Sequence, residues 1–302
     1  MEGDNADPWS ATEKDVRDAL ATAGRAATVA TVADIEGSAY RRPGAKMLVT
    51  GERVDTGAVT AGCLEPSVVD ICESVHTTGR SRTERFDLTD SDDAWGLGLG
   101  CNGVIDLLVE PRDGSWDAVL EASASGPPVA VVTVVDAGPE TTVGDRVIVD
   151  DAGVQTVPDR EPVPTSLLDR AEDTVDRIVG TGRTTTASVG DATLLVDGLA
   201  PIPELLLFGS QNDLGPMAAL GSQAGFRVTV HAQRAGIDES TVPNANTVRT
   251  GHPSTVAEGG YEALPENARA YVEYIEAELD TPAYALGVGP GRSETIVRER
   301  PF

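Results

Sequence analysis

The stretch ATVATVADIEGSAYRRPGAKMLVTGERVDTGAV, Ala27 to Val59, decides the fold. Its pattern returns about 100 residues on as VAVVTVVDAGPETTVGDRVIVDDAGVQTV, Val129 to Val157. Both copies read as strand, acidic-glycine turn, connecting loop, strand, turn, strand. The strands follow from β-branched alternation and the turns from the Asp, Glu and Gly between them. A short amphipathic stretch with a tryptophan precedes each copy, PWSATEKDVRDALA at 8–21 and SWDAVLEASA at 115–124. A run with apolar residues at helical spacing follows each and ends in Gly-Arg, VVDICESVHTTGR and LLDRAEDTVDRIVGTGR. Such self-similarity marks a duplication. The chain is expected to hold a duplicated αββ-type domain over about residues 10–200, with copies at about 10–112 and 113–200.

After Pro201-Ile202-Pro203 the character changes. ELLLFGSQNDLGPMAALGSQAGFRVTV, 204–230, reads as a buried strand, a glycine turn, a helix and a second strand. That is the opening of a doubly wound sheet. Residues 201–302 are therefore expected to form a shortened Rossmann-like domain, and the fold class is α/β.

Composition narrows the partners. The formal net charge is −26, and lysine occurs only at Lys14 and Lys46. Phosphate backbones need a basic surface, so nucleic acid is excluded as a partner. The acidic residues are dispersed rather than blocked, which fits a solvated shell of the salt-adapted kind. No apolar run reaches the ~18–20 residues of a membrane span, and the start MEGDNADPWS does not resemble a secretory signal. A cytoplasmic protein is expected. Three cysteines without a C-x-x-C pair argue against a disulfide framework, and the three histidines lack zinc-ligand spacing.

The two copies differ in their loops. The first carries SAYRRPGAKM and TAGCLEPS and is followed by GLGLGCNG; the second has PETTVGD and DREPVPTS in the corresponding places. Elaborate loops kept in one copy point to binding or chemistry there. Arg41, Arg42 and Lys46 form a basic cluster suited to an anion such as a phosphate, or else to surface ion pairs. Cys63 and Glu65 fall at the start of an expected helix, where the dipole favours a thiolate and a carboxylate. Cys101 lies in a loop whose glycines let backbone amides approach a ligand. Cys72 sits on the apolar face with Val68, Val69 and Val75 and reads as core. Gly209 and Asp213 flank the turn that could seat a nucleotide on a helix N-terminus. Gln211 stands where the dinucleotide pattern has its second glycine, and the next strand runs into His231-Ala232 with no carboxylate. The turn is thus either a nucleotide site of altered mode or a scaffold without one.

Four blocks together resemble the XdhC/CoxI family, accessory factors of xanthine dehydrogenase and related molybdenum hydroxylases. They are EGSAYRRPGAKMLV (36–49), GAVTAGCLEPSVVD (57–70), GLGLGCNGVIDLLVEP (96–111) and LLLFGSQNDLGPMAALGSQAGFRVTV (205–230). The chain departs from the family pattern at Tyr40, Ala61 and Asn102, and more in its C-terminal part. The resemblance implies a dimeric accessory protein that holds molybdenum cofactor (molybdopterin) for a partner hydroxylase, rather than a turnover enzyme. It implies cofactor contacts at Arg41, Gly44, Ala45, Lys46, Met47, Gly62, Gly98 and Gly100. It places Cys63, Cys101 and Glu65 in the reactive loops, with the two sulfurs as soft metal ligands. The alternative is an NAD(P)-dependent oxidoreductase acting through Gly209 and Asp213.

Overall fold

The computed structural model describes residues 10–89, 102–124, 127–179, 182–209, 211–232, 237–238, 240–250, 260–264, 266–279, 283, 285–287 and 295–298. The chain divides into two units, Met1–Pro201 and Ile202–Phe302.

The first unit is built twice from one plan. Helix α1 (Glu13–Thr22) opens the first repeat on a capping box, in which Thr12 and Asp15 satisfy each other's backbone amides. Strands β1 (Ala27–Ser38), β2 (Lys46–Thr50) and β3 (Arg53–Gly57) follow, then helix α2 (Glu65–Thr78) and strands β4 (Arg82–Asp87) and β5 (Asn102–Pro111). The second repeat gives α3 (Gly114–Ala122), β6 (Val129–Asp136), β7 (Arg146–Asp150), β8 (Gly153–Thr156), α4 (Thr165–Val179), β9 (Thr184–Val189) and β10 (Ala192–Leu199). The two antiparallel sheets have the same order, β3-β2-β1-β5-β4 and β8-β7-β6-β10-β9.

The strand alternation explains the packing. Ala30 and Val32 point from β1 to one side, where α2 covers them with Val68, Cys72 and Val75. Val29 and Ala33 point to the other, where the second sheet supplies Val131, Ile148, Val135 and Leu195. Helix α4 covers the far side of the second sheet with Leu168, Ala171, Val175 and Ile178, at 3- and 4-residue steps. The central strands are buried on both faces, which is why ATVATVA carries no charged residue.

Two ion pairs cross between the sheets. Lys46 opens β2 opposite Thr31, and Arg146 opens β7 opposite Thr133. Glu110 pairs with Val29 across β5/β1, and Asp197 with Val131 across β10/β6. Lys46 and Arg146 are therefore equivalent, and so are Glu110 and Asp197. Each cation takes the other repeat's carboxylate. Lys46 Nζ lies 2.6 Å from Asp197 Oδ2, and Arg146 Nη2 lies 2.6 Å from Glu110 Oε2. The Arg146 and Glu110 side chains are 2% and 1% exposed. Arg146 also donates to Thr133 Oγ1 at 3.0 Å and Ser115 Oγ at 3.1 Å, and it stacks 4.8 Å from the Trp116 ring centre. All four charged side chains line one cavity of about 10 Å³.

The second unit carries β11 (Glu204–Gly209), α5 (Leu214–Gln223), β12 (Arg227–Ala232) and β13 (Thr247–Thr250) in a parallel sheet of order β11-β12-β13. Leu214 and Ala218 of α5 pack on Leu207, Val228 and Val230. Helix α6 (Glu266–Leu279) follows, and then β14 (Ala285–Gly287), antiparallel to β15 (Thr295–Val297). None of the described helices is long and apolar enough to cross a membrane.

Removing one partner of a buried pair leaves the other charge without compensation, at about 3–5 kcal/mol. Arg146→Leu is expected to cost that much in denaturant unfolding of the first unit, followed by the fluorescence of buried Trp116. Arg146→Leu/Glu110→Leu is expected to regain part of the loss. A single variant within about 1 kcal/mol of wild type, the range of ordinary surface changes, would show that the pair does not hold the repeats together.

Candidate functional site

A cleft of about 870 Å³ opens in the first unit between the start of α1, the loop Tyr40–Ala45, helix α3 and the Arg183–Thr184 entry to β9. Its charge is unlike the rest of the chain. Arg17, Arg41, Arg42, Lys46 and Arg183 line it, five of the 23 basic residues, against only Glu13 and Asp197 of the 49 acidic ones. Arg17 is tied to Glu13 and to the Ala200 carbonyl. Arg42 and Arg183 are exposed at the mouth.

The loop's path is set by Gly44. Its φ is +92°, and an added Cβ would stand 2.2 Å from Thr184 Oγ1. Its amide donates to the Val32 carbonyl, while the Val32 amide donates to the Ala45 carbonyl. Gly144 repeats this in the second copy, with φ +98° and the matching bonds to Val134 and Asp145. Only glycine combines this backbone with so close an approach.

Of the expected cofactor contacts, Arg41, Gly44, Ala45 and Lys46 line the cleft. Lys46 is there in a different capacity from the one expected. Its ammonium is bound to Asp197 and, at 3.0 Å, to the Gly44 carbonyl, so it braces the floor. Met47 is fully buried in the core beneath α2, because alternation along β2 turns it to the opposite face from Lys46. It does not reach the cleft.

The TAGCLEPS loop is a separate feature. Glu65 is 8% exposed and turns inward. It accepts from Thr60 Oγ1 at 2.7 Å, the Thr60 amide at 3.3 Å and the Leu64 amide at 3.2 Å. The carboxylate expected to take part in chemistry instead ties the loop to the first turn of α2. Gly62 turns the chain at φ +107°, and Cys63 is exposed two residues before the helix begins. Gly62, Cys63 and Glu65 do not line the cleft. Cys72 is 1% exposed, as expected of a core residue, and burial pushes its thiol pKa up. Gly98, Gly100 and Cys101 lie outside the described residues, so the meeting of Cys63 with Cys101 does too. Among the described residues, no three His, Cys, Asp or Glu side chains gather as metal ligands. Gly209 ends β11 and Asp213 takes the N-cap position of α5 without a side-chain capping bond.

Sequence reading missed the second repeat's share of the cleft, namely Arg183, Thr184 and Asp197. A signal was present. LLVEP at 107–111 and LLVDG at 194–198 place a carboxylate at the same point of two otherwise apolar strands. A charge kept there in both copies needs a buried partner.

Comparison with known proteins bears on the first repeat most directly. The model of the XdhC and CoxI family matches residues 20–87, which include the Tyr40–Ala45 loop and Cys63. Over a wider span, the chain is 27% identical across 260 residues to a Bacillus subtilis protein named as a probable xanthine dehydrogenase subunit. That match covers 83% of this chain and 73% of the relative. A crystal structure from Bacillus halodurans described as a xanthine dehydrogenase shares the fold, with TM-score 0.63 and 23% identity over 82% of this chain and 70% of that one. A short segment matches a different protein. Adenylosuccinate synthetase of Haloarcula marismortui is 85% identical over 46 residues, 15% of this chain. The chain spans only 10% of that enzyme's length and 11% of its Halobacterium salinarum counterpart, which is 70% identical over 50 residues.

The loop geometry separates the thiols by access. In a Cys101→Ser background, one thiol of the folded chain is expected to react quickly with a disulfide reagent and the other only after denaturation. Slow reaction of Cys63, or reaction of Cys72 at a comparable rate, would contradict the packing described.

Proposed function

We propose that the chain is an accessory protein that carries molybdenum cofactor as cargo and assists its insertion into a xanthine dehydrogenase-type hydroxylase. The observation that carries this reading is the basic cleft of an acidic chain, lined by the loop of the family-matched repeat. A pterin phosphate is a bulky anion. It needs a cleft of several hundred Å³ with a few convergent polar groups, and arginines to meet the phosphate. Arg41, Arg42 and Arg183 would hold that anionic end, and Lys46, already paired, would keep the floor rigid. The chain's task would then be binding, orientation and exclusion of water rather than turnover. The relatives named for xanthine dehydrogenase support the choice of partner. The same reading has the protein act as a homodimer in the cytoplasm.

A sulfur-ligand role for Cys63 with Cys101 is a separable part of the proposal, since Cys63 is not in the cleft lining. NAD(P) binding through the Gly209 turn belongs to the alternative reading.

The chain purified from cells that make the cofactor is expected to contain pterin, measurable by fluorescence after oxidation. Arg41→Ala/Arg183→Ala is expected to lower that content roughly tenfold, the loss of one or two charge-assisted bonds. Cys63→Ala/Cys101→Ala tests the sulfur role by the same readout. Wild-type pterin content in the arginine variant would overturn the cleft assignment. Saturable binding of NAD(H) or NADP(H) at low millimolar concentration, with no pterin retained, would favour the oxidoreductase instead.

A further inference from the structure

The two repeats make two equivalent places, and only one of them is open. Around Gly144, the space is filled by Arg160. Its side chain is 9% exposed. Its Nη1 donates to Ser81 Oγ, its Nη2 lies 3.5 Å from Glu110 Oε1, and its Nε lies 2.7 Å from Asp113 Oδ2. A Cβ added at Gly144 would come within 2.4 Å of Arg160 Nη1, so the guanidinium lies directly on the glycine. The turn that delivers it is built for the purpose. Asp159 takes a left-handed conformation, φ 60°, and its carboxylate accepts from the Gly114 amide and from Arg25, each at 2.9 Å. A non-glycine residue in that region costs of order 1–3 kcal/mol unless its surroundings fix it.

Around Gly44 the same receiving groups stand in the open cleft. Thr184 lies against Gly44 as Ser81 lies against Gly144. Asp197 occupies the register position of Glu110. Thr184 Oγ1 donates to Asp197 Oδ1 at 2.5 Å. The three heavy atoms nearest a Cβ built at Gly44 belong to Thr184 and Asp197 rather than to an arginine, and after β3 Thr60 is bonded to Glu65. Glu110 shows two cations beside one such carboxylate: Arg146 Nη2 at 2.6 Å from Oε2, and Arg160 Nη2 at 3.5 Å from Oε1. Asp197 receives Lys46 on Oδ2 and Thr184 on Oδ1, and each carboxylate oxygen keeps a further lone pair for another donor.

We propose that the ligand of the open cleft sets a planar edge with two parallel N–H donors against Asp197 and over Gly44, in the place Arg160 fills in the other half. The 2-amino-4-oxo edge of a pterin is such a group, since its ring N–H and exocyclic amine copy one side of a guanidinium. The ligand would then lie with this edge at Asp197 and its anionic end toward Arg41, Arg42 and Arg183. This assignment rests on the cofactor reading above and adds the orientation. It makes Asp197 and Thr184, both from the second repeat, the groups that select the heterocycle, while the arginines serve any anion.

The test uses the full chain and two fluorescent probes of the same shape and charge, 6-carboxypterin and 6-carboxylumazine. They differ in one group, because lumazine has an oxo where pterin has the amine. The pterin is expected to bind at least roughly tenfold more tightly, since lumazine turns a carbonyl toward a buried carboxylate. Asp197→Asn is expected to remove the difference; if that variant does not fold, the ratio on the wild-type chain decides. Equal binding of the two probes overturns the assignment, and so does binding of N-acetylarginine amide with none of the pterin. If molybdopterin is retained on purification while the probes bind equally, the orientation falls and the cofactor reading stands. If neither molybdopterin nor pterin binds, both fall.

Discussion

The first unit depends on an exchange of charge between its repeats. Lys46 is neutralised by Asp197 and Arg146 by Glu110, each across the interface between the sheets. A buried ion pair seldom adds much net stability over an apolar pair of the same volume. What it adds here is alignment. Two sheets with apolar inner faces could slide over one another at little cost, but four charges buried among valines and leucines are compensated at one register only. The matching glycines act the same way. Gly44 and Gly144 bring each loop onto the opposite repeat so closely that a side chain at either place would push the sheets apart.

That alignment leaves two near-equivalent hollows, and the chain has treated them differently. In one, a turn held by Asp159 lays Arg160 onto Glu110. In the other, the corresponding chain departs toward the Thr60–Glu65 knot, and a cleft of about 870 Å³ remains. Duplication has thus supplied a scaffold and a reference. The filled hollow shows which groups the scaffold satisfies there, and the open one keeps much the same groups at the floor of the cleft. The loop matched by the XdhC and CoxI family belongs to the open side.

Much of the fold was legible because it was written twice. The strand-turn-strand pattern from Ala27 and its return from Val129 correspond to two sheets of one strand order. Strand β13, Thr247–Thr250, was not legible: four residues with two threonines and an arginine make no periodic signal. The site was legible only on the side of the first repeat. Scarcity of positive charge drew attention to Arg41 and Lys46, but sequence gives no sign that Lys46 is already held by a buried carboxylate. Asp197 sits 151 residues from Lys46, and only the superposition of LLVEP on LLVDG connects it to the problem. Met47 illustrates a plainer limit. A motif names consecutive residues, whereas a strand sends them to opposite faces.

The exchange also bears on how the chain is made. A ribosome releases the first repeat with Lys46 long before β10 exists, and Glu110 emerges before its partner Arg146. Neither half can complete its interior from its own residues. The first repeat must wait, with a cation at its unfinished face, until Asp197 has left the exit tunnel. What began as two copies of one unit has become a single vectorial assembly in which the last strand of the first unit to be synthesised, Ala192–Leu199, completes the interior of the first repeat.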